Sequence, residues 1–127
     1  MIDHTGVNVS NFAVSKTFYT SVLATLGYIV RLEFETALGF GENKLNSKDD
    51  PGGCFWISQG SHFVPRSHIA FRAHSQAEVI AFYQAALLAG AKDNGAPGLR
   101  PHYHKHYYAA FVFDPDGYNI EAVFHGE

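Results

Sequence analysis

The residues with the most chemistry in this chain are two histidines and one glutamate. His4 and His68 stand 64 residues apart, and the same interval carries Ala13 onto Ala77, Phe18 onto Phe82, Tyr19 onto Tyr83 and Leu23 onto Leu87. A recurrent interval of this length marks an internal repeat. Two copies of one unit set equivalent residues about a pseudo-twofold axis, so two strand histidines brought together that way are half of a metal site. Glu121 is a third donor, a carboxylate inside the otherwise apolar run Tyr118-Asn-Ile-Glu-Ala-Val-Phe124. Burying it unpaired would be expensive, so it must be paired, coordinated or aimed into a wet cavity. Its equivalent at the 64-residue interval is Ile57, beside Phe55 and Trp56, and none of the three coordinates a metal. Two imidazoles and one carboxylate with open positions suit one catalytic divalent ion, iron(II) in particular, with zinc, manganese, nickel and cobalt left open. A closed structural zinc site wants four protein ligands. A metal-free rival also exists: Arg72 shares the face of His68 and could hold Glu121 as a salt-bridge partner.

The elements that position these groups follow from hydrophobic periodicity. Ile2 to Val9 reads as a strand with Thr5, Val7 and Val9 on one face and His4, Gly6 and Asn8 on the other. Ser10 or Asn11 caps a helix carrying Phe12, Phe18, Tyr19, Val22, Leu23 and Leu26, and Gly27 stops it. Strands are predicted at Tyr28 to Phe34, Thr36 to Gly41 and Gly53 to Ser58, with a polar loop from Glu42 to Gly52. The second unit repeats the script: a strand from Ser67 to Ala73, a capping box at Ser75-Gln-Ala-Glu78, and a helix ending at Gly90. A Gly/Pro-rich stretch, Gly95 to Pro101, leads into strands at Tyr107 to Phe113 and Tyr118 to Phe124, joined by an Asp114-Pro-Asp-Gly117 turn. The apolar faces of the leading strands pack on the helices. His4, Asn8, His68 and Arg72 therefore look onto the opposite, concave face, where a ligand pocket belongs.

Substrate-binding candidates cluster around that face. Asn8 and Arg72 accompany the histidines, and Trp56 walls the cleft. In Arg100-Pro-His-Tyr-His-Lys-His-Tyr-Tyr108, an extended chain would aim His102, His104 and His106 the same way, to hold metal or an anionic substrate. The segment reads more readily as a lid, with Tyr107 and Tyr108 available to stack on a ligand or hydrogen-bond it.

Size and composition set the frame. At 127 residues, 46% hydrophobic and 15% aromatic, the chain is long enough for one domain with a real core. Its net charge is −3 and its nine Lys and Arg residues are scattered, which argues against a nucleic-acid partner. A single cysteine, Cys54, excludes an intrachain disulfide and fits a reducing compartment. The N-terminus enters a strand-like run with no charged-then-apolar leader, and no apolar stretch approaches membrane-spanning length. The expectation is a cytoplasmic protein with no membrane partner.

The two strand-helix-strands units, the histidines on their leading strands, and Asp114-Pro-Asp-Gly117 followed by Asn119-Ile-Glu121-Ala resemble the vicinal oxygen chelate superfamily. This is the glyoxalase, bleomycin-resistance and extradiol dioxygenase group, and the likeness spans essentially the whole chain. It implies an α+β fold of two βαβββ modules, approximately residues 1–62 and 63–127, forming a curved mixed sheet around a cleft. It implies His4, His68 and Glu121 as ligands of one divalent metal ion, a small-molecule substrate with vicinal oxygens, and a homodimer in which two chains often share the sites. Glu121 is then the catalytic residue of a glyoxalase-type lyase or isomerase. Glyoxalase I proteins usually carry a fourth ligand, a glutamate on the last strand of the first module, and this chain has Phe55-Trp-Ile57 there. The same site would serve a ring-cleaving dioxygenase or a thiol transferase. A metal-free protein that sequesters an aromatic, cationic drug is the competing class.

Overall fold

The computed structural model describes residues 1–44 and 48–126, so part of the polar loop expected at 42–52 lies outside the described residues. The element order is β1 (Thr5–Val9), α1 (Phe12–Ala24), β2 (Tyr28–Glu33), β3 (Ala37–Glu42), β4 (Phe55–Gln59), β5 (His68–Arg72), α2 (Gln76–Leu88), β6 (Lys92–Leu99), β7 (Tyr107–Phe113) and β8 (Asn119–His125). Each βαβββ unit closes its own four-stranded mixed sheet, β1-β4-β3-β2 and β5-β8-β7-β6. In both, the leading strand pairs in parallel with the last strand of its unit and the remaining pairs are antiparallel.

Local chemistry accounts for the element ends. The Asn11 side chain accepts from Val14 N at 3.2 Å to start α1, and Ser75 accepts from Glu78 N at 3.1 Å to start α2. Glu78 reaches back one residue further than a capping box requires, accepting from His74 N at 2.6 Å. The Gly/Pro-rich stretch is itself the strand β6. It tolerates Pro97 because it is a sheet edge, and it is interrupted by register shifts at Asp93/Gly95 and Gly95/Gly98.

The 64-residue interval holds through the first strand and helix of each unit and fails beyond them. Gly39 of β3, opposite Trp56, answers to Phe111 of β7, opposite Glu121, 72 residues on. A shift of 64 carries α1 onto α2 end to end and β1 onto β5 with faces preserved. In the closing strands the register slips by one. Gly6 pairs with Trp56 whereas Ala70 pairs with Glu121, so the structural counterpart of Glu121 is Trp56, and Ile57 corresponds to Ala122. Strand pairing, not constant spacing, fixes which face a side chain takes.

Both sheets turn their helix-bearing faces to one common core. Phe71 from β5 packs its ring 5.1 Å from Phe55 and 5.8 Å from Tyr28, and the buried residues of both units form a single cluster. The Asp114-Pro-Asp-Gly117 turn clamps the units together. Asp114 Oδ1 accepts from Asp116 N and Tyr118 N at 2.9 Å, and its other oxygen takes the Tyr19 hydroxyl of α1. Asp116 accepts from Ser10 N at 3.1 and 3.2 Å, and Tyr118 donates its hydroxyl to Asn8 O at 2.6 Å. Burial pushes the Asp114 carboxyl above its ordinary value, against the pull of these hydrogen bonds. No helix among the described residues is long and apolar enough to cross a membrane.

Candidate functional site

With the core shared, the second face of each sheet points outward, and the chemistry collects on that of β5-β8-β7-β6. Alternation along β8 buries Ile120 and Ala122 in the core and turns Asn119, Glu121 and Val123 outward. Glu121 sits between Ala70 and Phe111 in the ladder and is 2% exposed. Its two oxygens are divided. Oε1 lies 3.0 Å from His68 Nε2, and Oε2 accepts from the Tyr107 hydroxyl. Burial, then the hydrogen bond to Glu121, hold the Tyr107 phenol well above its usual range, so it stays a donor at neutral pH.

The tautomer of His68 follows from its surroundings. Nδ1 lies 2.9 Å from Asn119 O, and a carbonyl only accepts, so Nδ1 carries the proton. Nε2 then faces a carboxylate, which also only accepts. Two such atoms 3.0 Å apart are satisfied either by a proton between them, carried on the imidazole or on the carboxyl, or by a cation that both ligate. That spacing is about what two adjacent donors adopt at roughly 2.1 Å from one ion. The outward carbonyl contact is the support a metal-bound imidazole ordinarily has. His68 and Glu121 therefore fit a divalent ion.

His4 lies elsewhere. It precedes β1 instead of opening it, with Nδ1 2.7 Å from Asp3 Oδ1 and 3.8 Å from Asp50 Oδ2. Among the described residues, Asp3, His4 and Asp50 form the one cluster of three metal-type donors, and His4 does not join His68 and Glu121 within a single chain. Arg72 is not the partner of Glu121: no ion pair joins them, and His68 holds the carboxylate instead.

The remaining candidates divide between faces. Trp56 lies on the outward face of the first sheet, stacked at 6.2 Å on Phe34. Asn8 is half-buried beside Gly60, and Arg72 is exposed beside Val123. Tyr107 and Tyr108 part company, because alternation sends Tyr107 to Glu121 and packs Tyr108 against the core. The histidine tract is not extended. Two turns, closed by Tyr103 N to Arg100 O at 3.0 Å and Tyr107 N to His104 O at 3.1 Å, take the place of the extended run. His102 packs on Tyr103, while His104 meets His125 nitrogen to nitrogen at 2.9 Å and edges onto Tyr107. Phe111, stacked on His68 at 6.3 Å, shields the site, and only its place opposite Glu121 in the ladder reveals that role.

Comparison with known proteins agrees with this architecture. A family model described as the Glyoxalase/Bleomycin resistance protein/Dioxygenase superfamily matches residues 1–122, and the chain belongs to that superfamily. A crystal structure of a glyoxalase/bleomycin resistance protein from Albidiferax ferrireducens T118 is 28% identical, with 97% of each chain covered and a TM-score of 0.77. A glyoxalase/bleomycin resistance protein/dioxygenase family enzyme from Burkholderia phytofirmans PsJN shares the fold at 15% identity, 98% coverage of both chains and a TM-score of 0.71. So does a lactoylglutathione lyase from Agrobacterium tumefaciens, at 15% identity, 98% of this chain, 92% of that chain and a TM-score of 0.67. A search of curated proteins gave no match.

Proposed function

We propose that this chain is a metal-dependent lyase or isomerase of the glyoxalase type, acting on a small substrate with vicinal oxygens. In this reading two copies pair so that His4 of one completes a centre with His68 and Glu121 of the other. The observation that carries it is His68, both of whose ring nitrogens face acceptors. The outward orientation of both open faces favours pairing between chains, since one chain leaves His4 apart from the other two donors.

A divalent ion held there supplies Lewis acidity toward a substrate oxygen. Glu121 is the group to move a proton at an adjacent substrate carbon, being nearly removed from water and already oriented. Tyr107 fixes the carboxylate by donating to Oε2 and remains protonated while doing so. Phe111 limits water access beside it. Iron(II), zinc, manganese, nickel and cobalt all accept this donor set.

Metal analysis of tag-free protein prepared without chelator, with its mass in solution, tests the reading. Wild type is expected to be a dimer carrying stoichiometric metal, with His68→Ala and Glu121→Gln both depleted. His4→Ala mixed with Glu121→Gln should regain part of the metal, because a mixed dimer keeps one intact centre. Undiminished metal in His4→Ala would end the shared-site arrangement.

One observation favours a metal-free binder instead. A cavity of about 470 Å³ on the first unit is lined by Tyr28, Asp3, Glu42, Asp49 and Asp50 together with Lys48, a wall with more carboxylates than cations and so suited to an aromatic cation. Tight binding of such a compound by metal-free protein, unaltered in His68→Ala, would select that reading.

A further inference from the structure

Strand β6 is shaped around a single cation. Its register shifts at Gly95 and Gly98 lift it off an even ladder with β7, and Arg100, just past its end, folds back over the gap. Nη1 donates to Gly98 O and Nη2 to Ala96 O, each at 2.8 Å. A Cβ on Gly95 would stand 3.1 Å from Nη2, and one on Gly98 would stand 3.3 Å from Nη1. The glycines leave the space the guanidinium fills, and φ of +145° at Gly95 adds a backbone reason for that residue. Beneath the cation lies Phe111, its ring centre 5.4 Å from Cζ.

Three facts set this arginine apart from a surface charge. It is half-buried, it makes no ion pair among the described residues, and two carbonyls and an aromatic ring fix its plane. The carbonyls engage only part of its N–H fork and bring no countercharge. Position completes the argument. The strand order β5-β8-β7-β6 puts Arg100 on one side of β7 and His68 with Glu121 on the other, and both Arg100 and His68 pack on the Phe111 ring. A preset planar cation of this kind recognises carboxylate and phosphate oxygens.

We propose that Arg100 binds a small oxyanion on this open face, and that the substrate carries a carboxylate or phosphate across Phe111 from Glu121. The statement about the substrate rests on the metal-centre reading; the statement about the residue does not.

The test uses the full chain stripped of metal by chelator and titrated by calorimetry with benzoate, inorganic phosphate and neutral benzamide. Wild type should bind benzoate or phosphate saturably and benzamide far more weakly; whichever anion responds identifies the group. Arg100→Gln should weaken binding on the order of tenfold or more. Gly98→Ala, whose added methyl meets only Nη1, should keep the fold by circular dichroism and weaken binding less. Arg31→Gln, an arginine of the first unit that donates to Pro51 O, should stay within about twofold of wild type. Anion binding through Arg100 in a protein that never takes up metal would support the residue and separate its fate from that of the metal centre. Absence of binding by either anion, equal binding by Arg100→Gln, or equal affinity for benzamide would overturn the proposal and leave Arg100 a strut between two carbonyls.

Discussion

The two outward sheet faces were built to one plan and hold opposite contents. On the first, Trp56 lies over a floor of glycine, and the chain's own loop closes down on it. The Gly52 carbonyl would be 2.1 Å from a Cβ on Gly39, so no other residue fits there. On the second, the matching place holds Glu121, ringed by His68, Tyr107 and Phe111. One copy of the repeat became a covered platform and the other kept ionisable groups. Both units keep apolar side chains on the inward face, Val7 and Ile57 in one and Phe71 and Ala122 in the other, while the matched outward place holds Trp56 in the first and Glu121 in the second.

The largest expected effect lies in the turns that close the two units. Asp114→Ala should destabilise the protein by about 3 kcal/mol or more in urea unfolding, because three donors lose a buried acceptor. Asp50→Ala, in the corresponding connection of the first unit, should cost about 1 kcal/mol, losing its bond from Gly52 N and its approach to His4. Equal costs would mean the second turn is no clamp. Next comes the pair of outward residues. Trp56→Ala should cost roughly 2 kcal/mol through lost packing yet leave metal content unchanged. Glu121→Gln should change stability by about 1 kcal/mol or less and deplete the metal. A reversed pattern would mean that the first face, not the second, carries the chemistry.

The smallest effect is alkaline. Burial above all pushes the Tyr28 phenol up to about 12, and Tyr107 is raised further. Above about pH 10 the unfolded phenols release protons that the native ones keep, so stability falls as pH rises. Tyr28→Phe and Tyr107→Phe should each make that decline shallower, Tyr107→Phe more so. An unchanged slope in both would show that neither phenol is perturbed.

Much of this molecule is legible in its sequence wherever a local pattern decides the outcome. Alternation in Tyr107 to Phe113 and Tyr118 to Phe124 exposes Glu121 as the odd carboxylate, and the 64-residue interval finds both helices. What spacing cannot reveal is decided by contacts distant in sequence. Phe71 meeting Phe55 and Tyr28 makes one core of two units, which turns His4 away from His68. The histidine tract coils because its backbone closes two turns across Arg100 and Tyr107, an arrangement no side-chain pattern encodes. Strand β6 hides behind glycine and proline because its purpose is space and not propensity.

The single-position slip between β4 and β8 has a practical corollary for anyone refashioning this scaffold. A carboxylate installed at Ile57, the residue that counting recommends, would enter the apolar layer between Val7 and Leu38. Installed at Trp56 it would emerge beside Gly6, on the outward face that its counterpart Glu121 takes in the second sheet.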